Sequence, residues 1–406
     1  MADIRAFRAF RYDLGRVGAL SDVVAPPYDV INEEQQQELY DQSDYNSIRL
    51  ILSKELPDDT ESENRYTRTA RLLKEWIAED ILIQDTSAGL YVYHQEFEWE
   101  GQTHIRRGYL ARVRLEPFGE GKIYPHEETM PGPKADRLKL ITATQMNLSP
   151  IFGMYPDHDN EIQLALDDAV GQALPLEAKD HLGVINRLWA VTDEEVISHV
   201  KGLMGNKPIF IADGHHRYET GLRYLEERRK QGDVAHEEAA PCFIMMMLVS
   251  MSDPGLIIQP THRLLSGIPS MKSSDLSNLL SAQFDLETIG QGEEAAQSLW
   301  EMIEIDGSQD VLGFGTVADK SWHLARLRDR SRLEELEAKH SDDWRGLAVS
   351  VLHSLVINDM LGSRVESKPA CRYVHQLSEV LESCSSGETR LAALVQPAQL
   401  ETVRQI

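Results

Sequence analysis

Pro208-Ile-Phe-Ile-Ala212 is short, apolar and β-branched, and it runs without a linker into Asp213-Gly214-His215-His216-Arg217 and then into a helical repeat. A strand that passes straight into a helix commits this part of the chain to a mixed α/β fold. The helix is expected over 218–230, because Tyr218, Leu222 and Leu225 recur at i, i+4, i+7 with Gly221 on the same stripe, leaving Glu219, Glu226 and Arg229 outside. The junction suits an anion. A helix N-terminus offers unbonded amides and about half a positive charge. A glycine at the turn lets a phosphate approach the backbone, and Arg217 adds a forked, charge-assisted pair. His215 and His216 are adjacent, so one faces a ligand while the other packs nearby. The competing reading makes Asp213 a helix cap and the rest a polar surface turn.

A second polar cluster stands upstream. Tyr124-Pro-His-Glu-Glu-Thr129 sets two acids beside a histidine in a glycine-flanked loop. Phosphorylating a hydroxyl needs a base near its proton, and a placed carboxylate serves. Glu127 is the candidate base. Glu128 is the alternative, or caps the next helix, and His126 would orient the acceptor or contact a phosphate. A solvated acidic loop is the competing reading. Lys134, Asp136, Arg137 and Lys139 open a helix expected over 134–146. Asp136 and Arg137 would reach back toward the loop, and Lys134 would touch a phosphate, unless all lie on a solvated face. Thr261-His262-Arg263, after a strand expected at 256–259, forms another basic turn and a candidate lining of the substrate pocket. Tyr28 and Asp29 follow Pro26-Pro27, a rigid pair, and complete the substrate end or simply form a turn.

At 406 residues the chain exceeds one core, since single cores stop growing near ~250–300 residues. Three segments are expected: 1–110, 111–265 carrying the box, and 266–406. Hairpins are expected at 89–97 with 103–113 and at 310–317 with 321–327, and helices over 193–204, 333–340 and 349–361.

Ile211-Ala-Asp-Gly-His-His-Arg-Tyr-Glu-Thr220 resembles the phosphate-holding box of the ParB/sulfiredoxin superfamily and, within it, the Asp-Gly-His-His-Arg of archaeal free-serine kinases. Pro-His-Glu-Glu over 125–128 is similar to the segment of those kinases that carries the catalytic glutamate. Val24-Ala-Pro-Pro-Tyr-Asp-Val-Ile31, Ala135-Asp-Arg-Leu138, Asn147-Leu-Ser-Pro-Ile-Phe152 and Pro260-Thr-His-Arg263 add a resemblance, over nearly the whole chain, to the domain-of-unknown-function family numbered 1015. The resemblance implies an α+β (mixed α/β) fold with a ParB/sulfiredoxin-like nucleotide-binding core and flanking α/β segments. It implies a small-molecule kinase that moves phosphoryl from ATP or ADP, with Mg²⁺, to a hydroxyl, most readily that of free L-serine. Asp213, Gly214, His215, His216 and Arg217 would hold the phosphates, Glu127 and His126 would serve catalysis, and Asp213 or Glu128 would help the metal. A non-catalytic nucleotide- or phosphometabolite-binding regulatory module is the alternative. Chains of that family usually run on into a Met-Pro-x-Lys-Ser-Thr type of segment, whereas this sequence stops at Gln405-Ile406.

Asp+Glu at 66 against Lys+Arg at 41 leaves a net charge of −25. That balance argues against a nucleic-acid or anionic-membrane partner, including the DNA of a ParB relative. No apolar run approaches the roughly 18–20 residues that span a bilayer, and the N-terminus lacks a signal-peptide core. Three scattered cysteines fit neither a disulfide framework nor a zinc site and suggest a reducing cytoplasm. Gly119-Glu-Gly-Lys-Ile is too short for a phosphate loop, and Gly313-Phe-Gly-Thr-Val-Ala318 runs into a strand instead of the helix that dinucleotide binding requires. His215 stands where sulfiredoxin's box carries its cysteine, which sets sulfinic acid reduction aside.

Overall fold

The computed structural model of the chain describes residues 2–99, 101–125, 131–257, 259–362 and 369–397. Contacts divide it into two compact units, Met1–Leu256 and Ile257–Ile406, in place of the three segments expected. A cut at 110/111 would pass through one continuous strand, Gln102–Arg114, and a cut at 265/266 through another, His262–Ser266. Both strands are paired on two sides, so neither is an edge where a core ends.

In the first unit the strands are β1 (Ile4–Arg5), β2 (Phe10–Tyr12), β3 (Leu82–Gln84), β4 (Leu90–Trp99), β5 (Gln102–Arg114), β6 (Ile123–Tyr124), β7 (Ile151–Tyr155), β8 (Leu176–Lys179), β9 (Ile185–Val191), β10 (Ile209–Asp213) and β11 (Phe243–Ser250). Apart from a small β2–β3 pair, they build one mixed sheet of order β6-β10-β7-β11-β5-β4-β9-β8, with β1 on β5. The β4–β5 hairpin turns at Gly101 as expected, with Tyr93 opposite Gly108. Residues paired across strands share a face, and faces alternate along each strand. One face therefore carries Val92, Tyr109, Ala111, Val113, Ile244, Met246, Leu248, Ile209 and Ile211, all buried in the main core with Ile162, Leu166, Val200, Met204, Tyr218 and Leu225. Those last six belong to the helices Glu161–Val170, Glu194–Met204 and His215–Lys230. Each such side chain contributes about 1.5–3 kcal/mol by leaving water. Gly221 sets the closest approach of helix to sheet: a Cβ there would fall 2.6 Å from the Ile244 Cδ1 atom.

β10 lies between β6, to which it is parallel, and β7, to which it is antiparallel. Phe210 is opposite Tyr124, and the two rings stack at 5.4 Å. The strands that lead into the acidic segment and into the Asp-Gly-His-His-Arg turn thus run side by side in the same direction.

The second unit holds a six-stranded antiparallel sheet. Its strands are β12 (His262–Ser266), β13 (Phe284–Gln291), β14 (Val311–Thr316), β15 (Ser321–Leu327), β16 (Ala370–Val374) and β17 (Leu391–Val395), in the order β13-β15-β14-β17-β12-β16. The expected hairpin at 310–327 is β14–β15. The helix expected over 349–361 includes an eleven-residue π-helix, Val351–Leu361, whose inward residues are almost fully buried. Among the described residues no helix is long and apolar enough to cross a membrane.

Candidate functional site

The helix after β10 starts three residues earlier than its apolar stripe suggests. It spans His215–Lys230, so His215, His216 and Arg217 form its first turn. The residue that caps it is Gly214, not Asp213. Gly214 sits at φ 93°, ψ 28°, a left-handed conformation that glycine adopts without a Cβ penalty. Tyr218 N–H closes the turn on the Gly214 carbonyl at 3.0 Å. Below it the buried Tyr218 ring stacks on Phe118 at 5.0 Å, and its hydroxyl donates to the Glu116 carbonyl at 2.8 Å. His215 is buried and His216 half-buried.

Arg217 folds back over the turn. Its Nη2 donates to the Asp213 carboxylate and its Nη1 to the Pro150 carbonyl. A Cβ placed on Gly214 would lie 2.9 Å from Arg217 Nε and 3.0 Å from Cζ. Any other residue would carry a side chain at this left-handed φ and push the guanidinium aside. The Arg217 side chain keeps 12% of its surface exposed while that of Asp213 keeps 55%, so the carboxylate is the group open to solvent. The role of Pro150 was not legible in the sequence: the Asn147–Phe152 stretch supplies a carbonyl to this arginine.

A second arginine lies on the helix that packs against the box helix. The helix Pro131–Thr144 packs on the box helix, with Lys134 ion-paired to Glu219. One turn on, Arg137 is 8% exposed. Its Nε donates to Asp136 Oδ2 at 2.6 Å, Nη2 pairs with the same carboxylate, and Nη1 donates to the Ile51 carbonyl at 2.8 Å. Its guanidinium covers the Tyr28 ring at 3.9 Å. Asp136 also accepts from Tyr66 Oη at 2.7 Å and pairs with Arg65. Burial raises the Asp136 pKa, but Arg137, the Tyr66 hydroxyl and Arg65 outweigh it and hold the carboxyl below its ordinary range. Asp136 and Arg137 therefore lie neither on a solvated face nor unpaired. Burial pushes the Tyr28 phenol up, with Arg137 and Arg217 pulling it back and Asp29 adding to it. Tyr28 is half-buried and Asp29 exposed, in a turn that begins at Pro27. The buried Asn46 fixes the approach to this turn, donating to the carbonyls of Asp22 and Val24 at 2.9 and 3.1 Å.

His126, Glu127 and Glu128 lie outside the described residues. Thr261-His262-Arg263 belongs to the second unit and is not a turn after a strand. No strand occupies the described part of 256–259, and His262 and Arg263 open β12. His262 is buried against Trp300, with ring centroids at 4.7 Å, and accepts from Val395 N–H at 3.3 Å. Arg263 donates to the Thr261 carbonyl and to His353 Nε2, and covers Tyr373. The structure thus sets Tyr28 against Arg137, on the helix that packs on the box helix, and places 261–263 in a separate core.

Among the described residues no group of three His, Cys, Asp or Glu is placed to hold a metal. Asp213 is the carboxylate at the turn, and one or two carboxylates suffice for a Mg²⁺ carried in on nucleotide phosphates. The recorded cavities lie elsewhere. An open groove of about 540 Å³ runs along Thr67, Arg71 and Lys74, and a pocket of about 360 Å³ sits between Pro26 and Lys179. The turn, a strand's carboxyl end beside a capped helix, is the candidate anion site.

No curated protein matches the chain. Among solved structures it is similar to a free serine kinase variant in complex with AMP (TM-score 0.33, 12% identity, 70% of this chain and 78% of that one). It is also similar to a conserved hypothetical protein from Pyrococcus furiosus (TM-score 0.32, 13% identity, 70% and 80%). A free serine kinase in complex with AMP gives a TM-score of 0.31 at 12% identity, over 70% and 77%. The family described as "Protein of unknown function (DUF1015)" matches residues 4–350, and the chain belongs to it.

Proposed function

We propose that the 213–217 turn binds the phosphates of ATP or ADP, and that the protein transfers phosphoryl to the hydroxyl of a small molecule, free L-serine first among them. The observation that carries this reading is Gly214 at φ 93° under the Arg217 guanidinium, at the carboxyl end of a strand and the start of a sixteen-residue helix. Phosphate would bring two or more negative charges to a guanidinium that one carboxylate now neutralises. Serine as acceptor, and a ParB/sulfiredoxin-like core, rest on the sequence resemblance of the box and of Pro125-His-Glu-Glu128.

In this reaction Glu127 takes the proton of the acceptor hydroxyl as its oxygen bonds to phosphorus. The anhydride bond breaks, and ADP leaves from ATP, or AMP from ADP. Such a transfer needs positioning and charge, not a covalent intermediate. Mg²⁺, where bound, neutralises phosphate charge, with Asp213 as the protein carboxylate at hand. In sequence Glu127 follows Tyr124 by three residues, and Tyr124 closes the strand that pairs in parallel with β10 opposite Phe210.

The test is the full chain with ATP or ADP, Mg²⁺ and L-serine, scoring O-phosphoserine by mass spectrometry and nucleotide binding by calorimetry. Arg217→Ala is expected to weaken nucleotide binding roughly thirtyfold, about 2 kcal/mol for a lost charge-assisted pair. Glu127→Gln should bind nucleotide normally and form no product. Binding without turnover on any hydroxyl would leave a regulatory nucleotide-binding module. Absence of binding would remove both readings.

A further inference from the structure

Each of the three guanidinium nitrogens of Arg137 already has a partner within the protein. A buried guanidinium is costly unless its hydrogens are used, and here Nε and Nη2 go to Asp136 and Nη1 to the Ile51 carbonyl. Its flat face covers Tyr28 at 3.9 Å. Asp136 is itself fixed by Arg65 and Tyr66, so the guanidinium plane is set from the far side of the network. Tyr28 is also fixed from its own backbone, through Pro26-Pro27 and the Asn46 anchor. Its hydroxyl has no hydrogen-bond partner among the described residues. We propose that Arg137 is a positioning residue, holding the Tyr28 ring so that the Tyr28 hydroxyl donates to the phosphate seated at Gly214 and Arg217.

The inference rests on the phosphate reading of that turn and adds a donor to it. Lys134 and Arg137 are one turn apart on their helix, and Lys134 meets Glu219 of the box helix. Arg137 and the ring it carries are therefore on the side of that helix that faces the box. Burial holds the phenol protonated well above neutral pH, and both Arg137 and Arg217 act on it. A neutral donor suits this place, since Asp213 already supplies the negative charge. A ring clamped in advance loses little rotamer freedom when the ligand arrives.

A double-mutant cycle on the full chain tests this, with ADP as the probe and calorimetry as the readout. Tyr28→Phe is expected to weaken ADP binding five- to tenfold, and Arg137→Met at least as much. The double variant should be no weaker than Arg137→Met alone, because an unclamped hydroxyl has nothing left to lose. If Arg137→Met does not fold, Arg137→Lys keeps the charge but not the planar face, and carries the same cycle. Tyr28→Phe binding ADP like the parent, or multiplicative effects in the double variant, would overturn the clamp while leaving the phosphate site standing. A parent protein that binds neither ADP nor ATP would overturn the phosphate reading and the clamp with it.

Discussion

Two short basic segments, Asp213-Gly-His-His-Arg217 and Thr261-His262-Arg263, look alike in sequence, each placed after an apolar run. They end in opposite circumstances. The first straddles a strand-to-helix junction capped by Gly214, where the positive end of the helix dipole lies at the turn. The second lies inside β12, paired on one side with β16 and on the other with β17. There the backbone groups are spent on the sheet, and the side chains are spent on Trp300, His353 and Tyr373. A basic cluster at a helix start sits at the positive end of a dipole, whereas one inside a sheet is paired on both sides.

Glycine substitution separates the two cases most sharply. Gly214→Val would force a β-branched residue to φ 93° and drive its Cβ into the Arg217 guanidinium. Nucleotide affinity is expected to fall at least a hundredfold, which is about 2.7 kcal/mol. Gly267 directly follows β12 and also has positive φ, 73°, but a Cβ there meets only the Ala370 nitrogen at 3.7 Å. Gly267→Ala should cost about 1–2 kcal/mol of stability and leave nucleotide binding unchanged. Thermal melts and calorimetry read both. Equal loss of binding in the two variants would erase the distinction.

The box was legible because it is local: an apolar strand, a glycine and an apolar stripe follow one another along the chain. The helix starts earlier than its stripe suggests because the first turn carries His, His and Arg, which hide the helical period, and the cap is a glycine, not the Asp213 side chain of the competing reading. The stacking of Arg137 on Tyr28 joins residues far apart in sequence, and no spacing rule connects them. In the second unit β12 reads as a turn because its first two residues are polar, and their burial depends on Trp300 and Tyr373 from other elements. β17 is buried on both faces, so Leu391-Ala-Ala-Leu-Val395 shows no alternation.

His262 gives the comparison a pH axis. Burial, with help from the neighbouring Arg263 charge, lowers its pKa to about 4, against about 6.5 in an unfolded chain. As pH falls the unfolded chain takes the proton first. The stability tied to a neutral His262 is thus fully present above pH 6.5 and is lost progressively between 6.5 and 4. At pH 5 the loss is about 2 kcal/mol, at 1.36 kcal/mol per unit. Denaturant melts of the parent and His262→Gln from pH 8 to 5 should differ in slope by about one proton. Identical slopes would mean that His262 titrates normally and that the β12 segment is more open than its burial indicates.

The smallest effect tests how Lys134 is used. The sequence offers it as a phosphate contact, but the folded chain pairs it with Glu219, and both side chains keep 27% of their surface exposed. A partly screened pair contributes about 0.5–1 kcal/mol, so Lys134→Met should lower the melting temperature by roughly 1–4 °C. If the ammonium serves only the helix–helix contact, ADP affinity changes less than twofold, and Glu219→Gln gives the same melting shift with no further loss in the double variant. If the ammonium swings to phosphate when nucleotide arrives, affinity falls about tenfold in Lys134→Met alone, and its salt dependence weakens because one cation has left the site. The first outcome confines the charge at the turn to Arg217; the second makes Glu219 a resting partner that the ligand displaces, as Asp213 is for Arg217.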